Sequence, residues 1–202
     1  MRAGSSAGRW LVGLVVGMQV GGWAVVARSE DRFQFGTKDV SVAGGYSISH
    51  NTGHFKDVET VDGVHVIPHF GYFVTAERGP RWARGNFELL LEPTLIHLTD
   101  GESATIGGLA GLGRWVFATG SVMRPYVEAG LGVVGGHVNL RQTNCDVNYI
   151  IEGGPGILFF LSEATALTVG YRFQHISNGS ACAKNLGLNS SLFTFGISHF
   201  FP

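Results

Sequence analysis

His175 and Ser177 stand two residues apart in the run Gly170-Tyr171-Arg172-Phe173-Gln174-His175-Ile176-Ser177-Asn178-Gly179. On a β-strand, residues i and i+2 point to the same face. An imidazole and a hydroxyl can therefore meet there, as a general base and its nucleophile must. The chemistry open to such a pair is ester hydrolysis through an acyl-serine. Spacing alone is a weak signal, because a histidine at a strand end more often sits at an interface or in a plain hydrogen bond. What surrounds the pair has to carry the case.

The surrounding segment reads as a strand. From Thr165 to His175, Leu167, Val169, Tyr171 and Phe173 fall on one face, and Thr168, Gly170, Arg172 and Gln174 on the other. Similar alternation over about ten residues, the length of a membrane-spanning strand, recurs near 39–50, 62–75, 86–98, 104–117, 123–137, 149–161 and 191–201. In the last of these Phe193, Phe195 and Ile197 oppose Thr194, Gly196 and Ser198. No internal repeat or domain linker interrupts the series.

Composition narrows the class. Of 202 residues, 45% are hydrophobic and only 14% charged, against about 25% charged in an ordinary globular chain. Fourteen Lys and Arg balance 15 Asp and Glu, which supplies no basic patch for nucleic acid, and the aromatic content argues against disorder. Part of the hydrophobicity is N-terminal. Arg2 and Arg9 precede an apolar stretch from Trp10 to Val26 that ends in Ala24-Val25-Val26-Ala27, the pattern of a secretory signal. The expected organisation is thus a signal peptide over 1–27 and one domain over 28–202. The mature domain would hold 12 basic and 15 acidic residues. Beyond Ala27 no run reaches the roughly 20 apolar residues of a membrane helix.

An even set of about eight such strands closes into a small all-β, antiparallel barrel, because closure removes the sheet edges. In lipid that is the only β solution, since every backbone group must be paired. A soluble barrel of lipocalin type would invert the pattern and point its apolar side chains inward; inward Arg172, Gln174 and Thr168 favour the membrane form. Gly107, Gly108, Gly111, Gly113, Gly130, Gly132, Gly135 and Gly136 are expected inside a tight barrel or at bends. Phe200 and Phe201 resemble the terminal aromatic signal of outer-membrane barrels, with Pro202 as a departure. With both termini periplasmic, the turns near 76–85, 118–122 and 161–164 are periplasmic and residues 178–190 form the last external loop. His175 and Ser177 then share the lipid-facing side, and their natural substrate is an acyl chain already in the membrane.

The run Tyr171-Arg172-Phe173-Gln174-His175-x-Ser177-Asn178, followed by Asn185-x-Gly187-x-Asn189-Ser190, resembles the signature of the PagL-type lipid A 3-O-deacylases, the acyloxyacyl hydrolase family. Leu89-Leu90-Leu91-Glu92-Pro93 and Arg124-Pro125-Tyr126-Val127-Glu128-Ala129-Gly130-Leu131-Gly132 are similar to further blocks of that family, in its order. The resemblance implies an eight-stranded outer-membrane barrel that cleaves the 3-linked hydroxyacyl ester of lipid A, with no metal or other cofactor. It implies Ser177 as nucleophile and His175 as general base. The third position, an acid in the best-known form, aligns with Asn189. An amide oxygen can accept the imidazole N–H and fix its tautomer, but it does not offset the imidazolium charge. Asp146 and Glu152 are the alternative acids, away from the family position. Asn185, with Asn178 and the backbone around Gly179 and Ser180, is expected to support the oxyanion; turn chemistry explains the two asparagines equally well.

Cys145 and Cys182 are the only cysteines. Both fall in adjacent external loops, and export through an oxidising compartment permits a disulfide between them. His50, His54, His65, His69 and His97 lack metal-ligand spacing and read as interfacial or lumen residues. Trp82, Trp115 and Tyr126 lie near strand ends, as in an aromatic girdle. The partners expected are lipid A of lipopolysaccharide and outer-membrane lipid, with no nucleic acid and with a homodimer left open. A non-catalytic structural or adhesion barrel and a lipid A acyltransferase are the competing functions.

Overall fold

The computed structural model describes residues 32–50, 60–99, 103–137, 140 and 142–202. The signal peptide expected over 1–27 and His54 lie outside the described residues. Eight strands follow in order: β1 (Lys38–His50), β2 (Gly63–Phe73), β3 (Gly85–Leu98), β4 (Thr105–Phe117), β5 (Met123–Gly135), β6 (Val147–Phe160), β7 (Thr165–Ser177) and β8 (Leu188–Phe201). Each pairs antiparallel with its neighbour, and β1 closes on β8 from Lys38↔Phe201 to His50↔Asn189. Among the described residues no helix is long and apolar enough to cross a membrane.

Side-chain alternation sets the wall. Val40, Val42, Val64, Val66, Leu89, Leu91, Leu131, Ile151, Val169 and Phe195 stand exposed on the outside. The alternate residues of each strand turn inward, and Thr168, Arg172 and Gln174 are buried there. This is the inverse of a soluble barrel, whose apolar face points inward.

The interior is filled in layers. At the end where β1 begins and β8 finishes, Phe33, Phe73, Phe160 and Phe200 form an aromatic floor, with the Phe33 and Phe73 rings stacked at 4.3 Å. Above it runs an ion network. Arg172 holds Glu92 through Nη1 (2.5 Å) and Nη2 (2.8 Å), and its Nε donates to Glu128 at 2.7 Å. The other Glu128 oxygen accepts from Arg114 Nε at 2.8 Å, and Arg114 reaches Glu88 at 3.3 Å. Paired charges are tolerated in a buried interior because each of these carboxylates has its guanidinium. At the opposite end Val61, Ile96, Leu98, Ile106, Val134, Ile150, Ile176 and Leu188 close the top.

Three expectations change. Tyr126 is no girdle residue: it points inward, only 2% exposed, with the Arg114 guanidinium 4.5 Å from its ring centre. Its ring lies over Gly156 and its hydroxyl over Gly170, where an added Cβ would meet them at 2.2 and 2.9 Å. The glycines of β4 and β5 are also not uniformly interior. By strand parity Gly108, Gly130 and Gly132 face in, while Gly107, Gly111, Gly113 and Gly135 face out. The last strand, expected from 191, begins at Leu188, because Leu188 and Asn189 already pair with Ile176 and His175.

Candidate active site

β7 delivers His175 and Ser177 to the outer surface at the end opposite the aromatic floor, both half-buried. β8 lies beside it in register, with Asn189 directly opposite His175. The imidazole Nδ1 and the Asn189 Oδ1 are 2.7 Å apart. An amide oxygen can only accept, so Nδ1 carries the proton and Nε2 keeps the lone pair a general base needs. On the other side, β6 sets Tyr149 opposite Ser177 and Ile151 opposite His175. Among the described residues the Ser177 hydroxyl makes no hydrogen bond to the ring. Base and nucleophile of this kind often tighten only when substrate arrives.

Neither alternative acid reaches the ring. Glu152 points into the barrel, where it accepts from Gln174 Nε2 at 2.8 Å. Asp146 is exposed beside His137, 3.2 Å away. Of the three candidates, Asn189 is the one whose side chain touches His175.

The loop after Ser177 is tied down tightly. Gly179 (φ 61°) and Ser180 (φ 68°) both adopt left-handed backbone, and Ala181 N donates back to Asn178 O at 3.1 Å, closing a tight turn. Asn185 accepts from Asn178 N at 3.0 Å and donates to Ser180 Oγ at 3.3 Å. The Asn178 amide donates to Thr143 Oγ1 (3.1 Å) and Lys184 O (2.6 Å). Both of its hydrogens thus bind the loop, and its side chain is 1% exposed in total. The β5–β6 connection is fused to the same loop. Cys145 is bonded to Cys182, Leu186 N donates to Gln142 O at 2.8 Å, and Thr143 bridges Asn185.

The neighbouring histidines have other settings. His65 and His69 are buried inside, against Ser47 Oγ (3.0 Å) and Asp39 (2.9 Å). His97 pairs with Thr105. His50 stands apart: it ends β1 opposite Asn189, on the outer face. Its Nε2 is 2.7 Å from Ser191 Oγ, and Tyr171 OH lies 3.0 Å from the same oxygen. Sequence reasoning did not join these three; the parity of β1, with Val40, Val42 and Ile48 outward, was the signal that could have placed His50.

The family model for lipid A 3-O-deacylase (PagL) matches residues 62–198. The chain belongs to the PagL lipid A 3-O-deacylase family. It is thus an ester hydrolase built as an outer-membrane β-barrel. The PagL match takes in β2 to β7 and most of β8, with His175, Ser177, Asn189 and the loop between them, while His50 and the rest of β1 lie outside it. In fold, the chain is similar to the crystal structure of Neisserial surface protein A, at a TM-score of 0.60 and 17% identity, covering 82% of this chain and 99% of that one. It is similar also to the crystal structure of the outer membrane enzyme PagL, at 0.56 and 20%, covering 78% and 97%. No curated protein matches in sequence.

The PagL-like sequence blocks now have physical roles. Glu92, Glu128 and Arg172, from three separate blocks, meet in the interior network. His175 and Ser177 are carried on the outer face of the strand whose inner face Arg172 and Gln174 anchor. The network therefore fixes the strand that presents the pair.

Proposed function

We propose that the chain hydrolyses the 3-linked hydroxyacyl ester of lipid A, with Ser177 as nucleophile, His175 as general base and Asn189 as the group that orients the imidazole. The observation that supports this most is the 2.7 Å contact between His175 Nδ1 and Asn189 Oδ1 on the lipid-facing wall, with Ser177 on the same face.

His175 Nε2 takes the Ser177 proton as Oγ bonds to the ester carbonyl carbon. The oxyanion needs donors aimed at it. Backbone N–H groups of Gly179 and Ser180 and the Asn185 amide stand in the adjacent turn for that task, whereas the Asn178 side chain serves the loop. The carbonyl then re-forms, the sugar 3-oxygen leaves with the proton from His175, and water cleaves the acyl-serine to release a 3-hydroxy fatty acid. An outward-facing pair receives this substrate directly from the membrane. With the aromatic-floor end on the periplasmic side, the site opens into the outer leaflet, where lipopolysaccharide resides.

Mass spectrometry of lipid A from a Gram-negative host making the protein tests the reading. Wild type is expected to remove one hydroxyacyl chain, and Ser177→Ala or His175→Ala to lower that by about a thousandfold or more. Unmodified lipid A with correctly folded wild-type protein would overturn it.

A further inference from the structure

The turn that follows Ser177 is built on strained backbone. Gly179 and Ser180 are both left-handed, and among the described residues Ser180 is the one non-glycine with positive φ. Such a conformation persists where the surroundings over-determine it. Asn185 holds the turn by hydrogen bonds to Asn178 N and Ser180 Oγ, at 3.0 and 3.3 Å, and the disulfide ties Cys182 to Cys145.

A contact of another kind comes from β6. Tyr149 points outward there, 55% exposed, and its ring stands beside Gly179. A Cβ on Gly179 would lie 3.5 Å from Tyr149 Cε2 and 3.7 Å from Cδ2, ordinary packing distances, so the space between ring and turn is no wider than one methyl group. Ring carbons make this approach, not the hydroxyl.

Tyr149 is also the direct cross-strand neighbour of Ser177. Side chains paired in this way have Cβ atoms about 4.5–5.5 Å apart, so the ring flanks the nucleophile as well as the turn. Continued one step past Ile176↔Leu188, the β7–β8 register puts Gly187 on the other side of Ser177, where there is no side chain. The nucleophile is thus walled toward β6 and open toward β8. An aromatic that served the membrane interface alone would gain nothing from standing against a left-handed glycine.

We propose that Tyr149 is a positioning residue: its ring braces the Gly179–Ser180 turn and so keeps the backbone N–H groups of that turn directed at the oxyanion formed when Ser177 attacks. The role in turnover rests on the esterase reading above; the brace itself does not. Without the ring the left-handed pair relaxes, and donors displaced by about 1 Å lose much of their effect on the transition state.

Two measurements on the purified, folded barrel test it. The first is labelling of Ser177 by an alkyl fluorophosphonate in micelles, in which Oγ bonds to phosphorus, fluoride leaves and the phosphoryl oxygen takes the oxyanion position. Tyr149→Ala is expected to lower the maximal labelling rate about tenfold to a hundredfold with the half-saturating probe concentration little changed. Tyr149→Phe, which keeps the ring, is expected to restore the rate to within about twofold of wild type. Labelling of Tyr149→Ala at the wild-type rate, or an equal fall in both variants, would overturn the proposal while leaving the esterase reading intact. The second is amide hydrogen exchange over residues 178–181, expected to quicken about tenfold in Tyr149→Ala but not in Tyr149→Phe, with β6 and β7 unchanged. If the wild type takes no label, the esterase reading falls and exchange alone decides the brace: faster exchange supports it, and unchanged exchange rejects it.

Discussion

The imidazole of His175 lies against the backbone of Gly187, so closely that a Cβ at that position would stand 2.7 Å from Cε1 and 3.5 Å from each ring nitrogen. Gly187 also holds φ at 74°, in the left-handed region. Asn189 grips the ring from one side and Gly187 limits it on another. The glycine is therefore part of how the base is aimed.

Gly187→Ala follows from that contact. The left-handed backbone costs a non-glycine residue about 1–2 kcal/mol, and the added methyl pushes the ring away from Asn189. We expect kcat to fall about tenfold to a hundredfold with KM little changed, measured on purified, folded barrel. A change confined to KM would count against the positioning role.

Asn189 offers an oxygen but no charge. Asn189→Glu keeps the acceptor and adds a carboxylate, whose hydrogen bond to an imidazolium is roughly twice as strong as a neutral one. The expected result is a kcat gain of about tenfold, with Asn189→Ala losing about tenfold or more. Release of fatty acid from lipid A in steady-state assays reads both. No gain in the Glu variant would mean that the charge does not limit the rate.

The Cys145–Cys182 bond, with Cα atoms 5.8 Å apart, joins the β5–β6 connection to the loop that follows Ser177. Replacing both residues by serine is expected to lower stability by about 2–4 kcal/mol and to open residues 178–187 to proteolysis before the barrel. Limited digestion followed by mass mapping shows which segment yields first. Equal resistance with and without the bond would sink the idea that it braces the loop.

Much of this was legible in the chain. Period-two alternation placed all eight strands, and the parity of β7 put His175 and Ser177 on the lipid side, since parity follows from backbone geometry alone. It failed where side-chain size or partners decide. Leu188, Asn189 and Ser190 lack apolar alternation, so the start of β8 was hidden; its pairing to β7 is a tertiary fact. Tyr126 looked like a girdle residue because nothing local shows that Gly156 and Gly170, on two other strands, clear room for its ring. Asn178 and Asn185 could not be told apart by type, and only the positions of Thr143, Lys184 and Ser180 separate them. His50 and Ser191 are 141 residues apart and become neighbours only when the barrel closes.

The aromatic floor, the arginine–glutamate layer and the apolar top fill the barrel interior at three successive levels. A porin of similar wall would be a hole in the permeability barrier, and its number per cell would set a leak. This protein crosses the same membrane as a filled peg, with its chemistry on the outside. Its abundance is then expected to rise with little leak of solutes, so that chemistry on the wall and sealing of the envelope need not trade against each other.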